Sequence, residues 1–214
     1  MVFMNENFQT DCHCKEIRHK TKWVVLTGGP GAGKTAILQI AQRTFCRHVM
    51  VLPESASILL AGGFLKSQSV SGRCAFQRAV YHVQKQLEYF AANEKDCALI
   101  LCDRGSLDSL GYWPNSEKEF FEQMHTSIDK ELKVYDKVIH VQTPSLEHGY
   151  NHQNPVRVES ADEAAALDRR IQSIWNRHRN FQTVNSSSDF LEKSKKVMEL
   201  IRSEIPECCW RETI

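Results

Sequence analysis

Two textures of hydrophobic and polar positions alternate along this chain. Short, continuous apolar runs occur at Trp23-Val24-Val25-Leu26-Thr27, His48 to Leu52, Ala98-Leu99-Ile100-Leu101-Cys102 and Lys137 to Val141. Such runs predict strands covered on both faces, as in a parallel sheet. Between them, apolar residues recur at helical spacing. Ala36 to Phe45 carries Ile37, Ile40, Ala41 and Phe45; Ser55 to Ala61 is stopped by Gly62-Gly63; Arg73 to Ala92 carries one stripe of Phe76, Ala79, Val80, Val83, Leu87 and Phe90. Lys66 to Gly72 is polar and predicts a loop, and helical segments follow near Glu117 to His125 and Ile128 to Val134. Ser160-Ala161-Asp162-Glu163 reads as a capping box opening a helix that runs to about Asn180 with Leu167, Ile171, Ile174 and Trp175 inward. Gln182 to Asn185 predicts a last strand, and a helix from Asp189 to Ile205 closes the pattern. Strands alternating with helices predict a three-layer α/β fold around a parallel sheet of about five strands. Residues 142–159, rich in Pro, Gly, Asn and His, are long for a connection and read as a lid. The pattern divides the chain into an N-terminal tail (1–21), one domain (22–205) and a C-terminal tail (206–214).

Composition narrows the class. The 214 residues are 42% hydrophobic, and 27 Lys+Arg against 26 Asp+Glu leave a net charge of +1. That suits one soluble domain with a sizeable core, and it supplies no basic field of the kind that binds nucleic acid or anionic lipid. The longest uncharged, largely apolar stretch, Ser55 to Leu65, is too short to span a bilayer, and the N-terminal region lacks an apolar signal core. No nucleic-acid partner and no membrane insertion are expected, and a cytoplasmic location is. Of eight cysteines, Cys46, Cys74, Cys97 and Cys102 fall inside apolar patterns and read as core thiols. Cys12-His13-Cys14, with His19 nearby, and Cys208-Cys209 lie at the two ends. A metal site there would need the ends to converge, because no local CxxC or HxxxH spacing exists; reduced, incidental thiols are the simpler expectation for an intracellular chain.

The chemistry concentrates where the first strand meets the first helix. Gly28-Gly29-Pro30-Gly31-Ala32-Gly33-Lys34-Thr35 fits a phosphate-binding loop, in the required order of strand, loop and helix. Glycines let successive backbone N–H groups turn toward phosphate oxygens, and the helix N-terminus adds a favourable dipole. Lys34 is placed to reach the β and γ phosphates, and the Thr35 hydroxyl to ligate Mg2+. ATP or GTP with Mg2+ is therefore the expected cofactor, and the fold class sharpens to a P-loop NTPase.

The fate of the γ phosphate is read from weaker signals. Asp103 ends the third strand, where a carboxylate on the Mg2+ side belongs, but Arg104 follows it where many ATP-hydrolysing motors carry a glutamate. Asn93-Glu94-Lys95-Asp96 has the wrong order and place for guanine recognition, and Asp108-Ser109-Leu110-Gly111 lies too far past the strand for a GTPase metal contact. A kinase needs a carboxylate near the acceptor hydroxyl and positive charge over the transferring group. Glu54 ends the second strand on the same carboxyl edge, as an acceptor-side base or contact or as a plain helix N-terminal acid. Arg104 and Arg157 are candidate phosphate cations. Gln77, Gln84 and Arg170 are candidate acceptor contacts, with ordinary polar helix flanks the competing reading. His148 and His152 read as solvated.

Together, the glycine loop at 28–35, Pro53-Glu54, Phe76-Gln77, Asp103-Arg104-Gly105 with Asp108-Ser109, Tyr135-Asp136, and Arg157-x-Glu159 before Glu163-Ala164-x-x-Leu167 resemble the NadR-type AAA ATPase/kinase domain. Nicotinamide riboside kinases and TRPL translocation defect proteins share that domain, and the resemblance covers residues 22–202. It implies two functions. Riboside-kinase relatives phosphorylate a nucleoside hydroxyl with ATP, which makes Glu54 or Asp103 the acceptor-side acid. Translocation-defect relatives bind GTP and phosphoinositide through an added C-terminal domain with no counterpart in these 214 residues. The expectation is a kinase acting on a small hydroxyl-bearing acceptor such as a nucleoside; the alternative is a nucleotide-dependent switch acting through a protein partner.

Overall fold

The computed structural model describes residues 19–94, 97–144, 161–186 and 189–209. Five strands, β1 (Lys22–Thr27), β2 (Val49–Leu52), β3 (Leu99–Asp103), β4 (Lys137–Val141) and β5 (Phe181–Val184), form one sheet in the order β2-β3-β1-β4-β5. All pairings are parallel, with Val25 opposite Cys102 on one side and opposite Val138 on the other. The near-continuous apolar character of these strands follows from burial on both faces: every residue of β3 and β4 is buried.

Alternate side chains of each strand enter two different cores. Val24, Leu26, Leu99, Leu101, Ile139 and Val141 pack against α1 (Lys34–Thr44) and α8 (Phe190–Arg202). Val25, Ile100, Cys102 and Val138 face α3 (Val70–Asn93), α4 (Asp108–Tyr112), α5 (Glu117–Met124) and α7 (Ala161–Trp175). The short helices α2 (Ser55–Ala61) and α6 (Ile128–Leu132) complete the second layer's surroundings. No helix among the described residues is long and apolar enough to cross a membrane.

Several elements depart from the sequence pattern. Helix α3 starts at Val70 instead of Arg73, because the Ser69 hydroxyl accepts from Gly72 N at 3.1 Å and caps it within the expected loop. Its buried side is Cys74, Gln77, Tyr81, Gln84, Glu88 and Ala91, and the expected apolar stripe is displaced to a half-exposed flank, with Phe90 56% exposed. The polar side can face inward because its groups are paired there. Gln84 accepts from Ser55 Oγ (2.8 Å) and donates to Glu88 (3.1 Å), to which the Tyr135 hydroxyl also donates. Tyr81 and Ser106 hydroxyls both donate to Glu131 at 2.7 Å, and Lys85 pairs with Glu88 and Glu131. A satisfied polar network can occupy an interior as an apolar stripe does.

Helix α4 was not anticipated, and α7 ends at Trp175, short of Asn180. The fold also takes in residues on both sides of the expected 22–205 domain. The Thr21 hydroxyl donates to Cys97 O at 2.8 Å, and Glu207–Cys209 form a 3-10 turn that buries Cys209 completely. Arg157, His148, His152, Cys12, Cys14, Ser160 and nearly all of the expected lid lie outside the described residues.

Candidate nucleotide site

The glycine loop leaves the carboxyl end of β1 and turns into α1, with Gly28, Gly31 and Gly33 all at positive φ (133°, 79° and 90°). Gly28 has no room for anything larger: a Cβ there would lie 2.1 Å from the Val141 carbonyl oxygen of β4. We therefore expect Gly28→Ala to cost at least about 2 kcal/mol, a fall of roughly 4–8 °C in melting temperature, together with nucleotide binding. A thermal melt at wild-type temperature would contradict this packing. Pro30 and Gly31 make the turn of the loop, Ala32 is fully buried against the α1 core, and Gly33 is the left-handed N-cap residue of α1.

Lys34 and Thr35 open α1. Lys34 is 6% exposed, and its ammonium donates to Gly28 O (2.8 Å) and Gly29 O (2.9 Å), folded along the inside of its own loop. Burial, with the Arg104 guanidinium nearby, lowers its pKa to about 8. The Thr35 hydroxyl points at Asp103, donating to Oδ2 at 3.4 Å. Asp103 Oδ1 is buried without a hydrogen-bond partner among the described residues. Burial, reinforced by Glu54 and Asp108, raises the Asp103 carboxyl to about 6 against the pull of Lys34 and Arg104.

Arg104 ties the rest together. It sits at φ 73°, its amide bonded to Leu26 O at 3.1 Å. A non-glycine residue there costs of order 1–3 kcal/mol and is held by its surroundings. Its guanidinium donates to Glu54 Oε1 (2.6 Å), Asp108 Oδ1 (3.1 Å) and Gly28 O (2.9 Å), with the Tyr112 ring 5.5 Å away. Burial works to raise the Glu54 pKa, but Arg104 and the Ser57 hydroxyl overcome it and hold the group at about 2.

Residues from later in the chain fix the loop. Asp168 on α7 accepts from Gly29 N (2.6 Å) and from the Thr143 hydroxyl (3.2 Å), with buried His140 Nε2 3.2 Å away. Asp108 accepts from the Thr27 hydroxyl (2.7 Å), Gly105 N (3.0 Å) and Trp175 Nε1 (3.1 Å) besides Arg104. Neither positioning role was read from the sequence. For Asp168 a signal existed: it is the carboxylate among Ala164, Ile171 and Trp175 on the buried face of α7.

Lys34, Thr35, Asp103, Glu54 and Arg104 thus come together at the carboxyl ends of β1, β2 and β3. The acceptor candidates divide. Gln84 is 3% exposed with both ends of its amide bonded to protein, so it braces α2 against α3 and is neither a free acceptor contact nor a solvated helix flank. Gln77 is buried on the same face of α3. Arg170 donates to Trp113 O at 2.8 Å, and burial together with the Arg73 guanidinium lowers its pKa.

The mutually interacting groups around the loop carry two cations, Lys34 and Arg104, against three carboxylates, Glu54, Asp103 and Asp108, a formal 2 − 3 = −1. The Thr35 hydroxyl and the unpartnered Asp103 oxygen are hard oxygen donors, the type that suits Mg2+.

A strand, glycine loop and helix of this form, on the carboxyl edge of a parallel β2-β3-β1-β4-β5 sheet, define a P-loop protein with a kinase-like fold. The family model for an AAA domain matches residues 23–193, and the chain belongs to that family. Among solved structures, thymidylate kinase from Candida albicans superposes with a TM-score of 0.56 at 11% identity, covering 86% of this chain and 92% of that one; the likeness shows a shared fold. No curated protein matches the sequence.

Proposed function

We propose that this protein binds ATP or GTP with Mg2+ and transfers the γ-phosphoryl group to a small acceptor such as a nucleoside. The observation that carries the reading is the meeting of Lys34, the Thr35 hydroxyl and an Asp103 carboxylate with an unpartnered oxygen at one strand edge. Thr35 and Asp103 would hold Mg2+, which when bound neutralises charge on the phosphate oxygens. The loop amides and Lys34 orient the phosphates. Arg104, anchored by Glu54 and Asp108, keeps a fixed positive charge beside Gly28.

The acid–base assignment shifts within this reading. Glu54, held at about 2 by its ion pair, is too weak a base to take a proton near neutral pH, so it anchors Arg104. Phosphoryl transfer asks little of a base and much of positioning and charge, which suits a site built this way. On the acceptor side, Gln77 offers an amide, while Arg73 and Arg170 sit close enough to repel each other. An anionic group on the acceptor would relieve that repulsion.

The test is incubation with γ-labelled ATP and GTP, with Mg2+, over a panel of nucleosides, nucleoside monophosphates and other hydroxyl-bearing metabolites. Label should move to one acceptor class. Label on none of them, with only trace free phosphate, would sink the kinase reading.

A further inference from the structure

Away from the nucleotide loop, three segments distant in sequence bring imidazole and thiol groups to one point. His19 precedes β1, Cys46 and His48 lie in the turn between α1 and β2, and Cys209 ends the last 3-10 turn. His19, His48 and Cys209 place one ligand atom each within 4.8 Å of one another. Cys209 Sγ lies 3.6 Å from His48 Nδ1 and 3.7 Å from His19 Nε2, and Cys46 Sγ lies 3.7 Å from that same His48 Nδ1.

These separations match metal coordination. A tetrahedral ion at about 2.3 Å from sulfur and about 2.0–2.1 Å from nitrogen puts those ligand atoms roughly 3.5–3.6 Å apart. Two of the three donors are buried, Cys209 at 0% and His48 at 6% exposed, and the Cys209 thiolate would offset part of a divalent charge there. Imidazole and thiolate donors select zinc over Mg2+ or Ca2+.

We propose that His19 Nε2, His48 Nδ1 and Cys209 Sγ form a three-ligand zinc site, with the Cys46 thiol beside it against His48. It lies at the amino edge of the sheet, about 20 Å from the glycine loop at the far end of β1. Its role is to tie the chain entering β1 and the turn after α8 to the start of β2, so it acts on stability and leaves the nucleotide chemistry to the other edge.

The full chain, expressed with zinc and purified without chelator, should carry about one zinc per molecule by atomic emission. After exchange, Co2+ should give tetrahedral d–d bands and a thiolate-to-cobalt charge-transfer band. Cys209→Ser and His48→Gln should lose the metal, and Cys74→Ser, at a core thiol outside the cluster, should keep both signals. A wild-type chain without zinc above buffer and without a thiolate–cobalt band would overturn the proposal even if the variants fail to fold. Neither readout depends on kinase activity, so this proposal and the functional one fail separately.

Discussion

Lys34→Ala is expected to abolish turnover, with a fall of at least about 100-fold, while leaving the unliganded fold close to wild-type melting temperature. The two outcomes have one cause. In the free protein the Lys34 ammonium is buried against two loop carbonyls, and burial has brought its pKa down from 10.5 to about 8. A base whose folded pKa is lowered binds fewer protons folded than unfolded between those values, so stability rises with pH from about 8 to 10.5 and the charged group is a burden below that. Removing it therefore takes little stability away at neutral pH. Phosphates reverse the balance, because an anion beside Lys34 favours the ammonium. At pH 8.5, nucleotide binding should take up roughly 0.5–0.8 proton, and at pH 7 much less. Calorimetry in buffers of different ionisation enthalpy reads this directly, and Lys34→Ala should show no such uptake. Full nucleotide binding by the variant, with the same proton uptake, would contradict the placement of Lys34.

The part of the site that was legible in the sequence is the part built from consecutive residues. Gly28 to Thr35 supply loop, amides, cation and hydroxyl in one run, because phosphate binding by backbone requires neighbours in sequence. The strands were legible for a similar reason: residues of β3 and β4 are buried on both faces, so apolar character survives as an unbroken run. Asp103 and Glu54 could be placed at strand ends for the same reason, since a parallel sheet brings those ends to one edge.

What the sequence concealed depends on partners far along the chain. The inward face of α3 is polar because Glu88 meets Tyr135 and Tyr81 meets Glu131, contacts invisible in the helix's own periodicity. Apolar spacing therefore pointed to the wrong face. Gln84 was misassigned with it, since its partner Ser55 belongs to another helix. For Glu54 the base, acceptor-contact and helix-terminus readings stood side by side, because its partner Arg104 lies 50 residues on. The histidine and thiol cluster shows the same limit. His19 and Cys209 are 190 residues apart, so no local spacing could announce them.

Asp103→Asn should preserve the fold and Mg2+-free nucleotide binding while lowering turnover on the order of 100-fold and removing its dependence on Mg2+ concentration. The variant is isosteric, and Asp103 Oδ1 has no hydrogen-bond partner to lose among the described residues. Its pH behaviour makes the test specific. Burial, with Glu54 and Asp108 adding, has raised the carboxyl from 3.8 to about 6. An acid with a raised folded pKa contributes stability that is fully present below 3.8 and is lost as pH climbs through 6. Glu54, lowered from 4.5 to about 2, acts in the opposite sense, but its loss of stability lies below pH 4.5. In the window from about pH 4.5 to 7 the free wild-type protein should therefore lose melting temperature as pH rises relative to Asp103→Asn, which lacks the titrating group. Over the same window wild-type Mg2+-nucleotide affinity should climb, because the oxygen offered to the ion must be anionic, and the variant should stay flat. A variant whose Mg2+ dependence and pH profile both match wild type would place the metal carboxylate elsewhere, and the strand-end reading of Asp103 would fall with it.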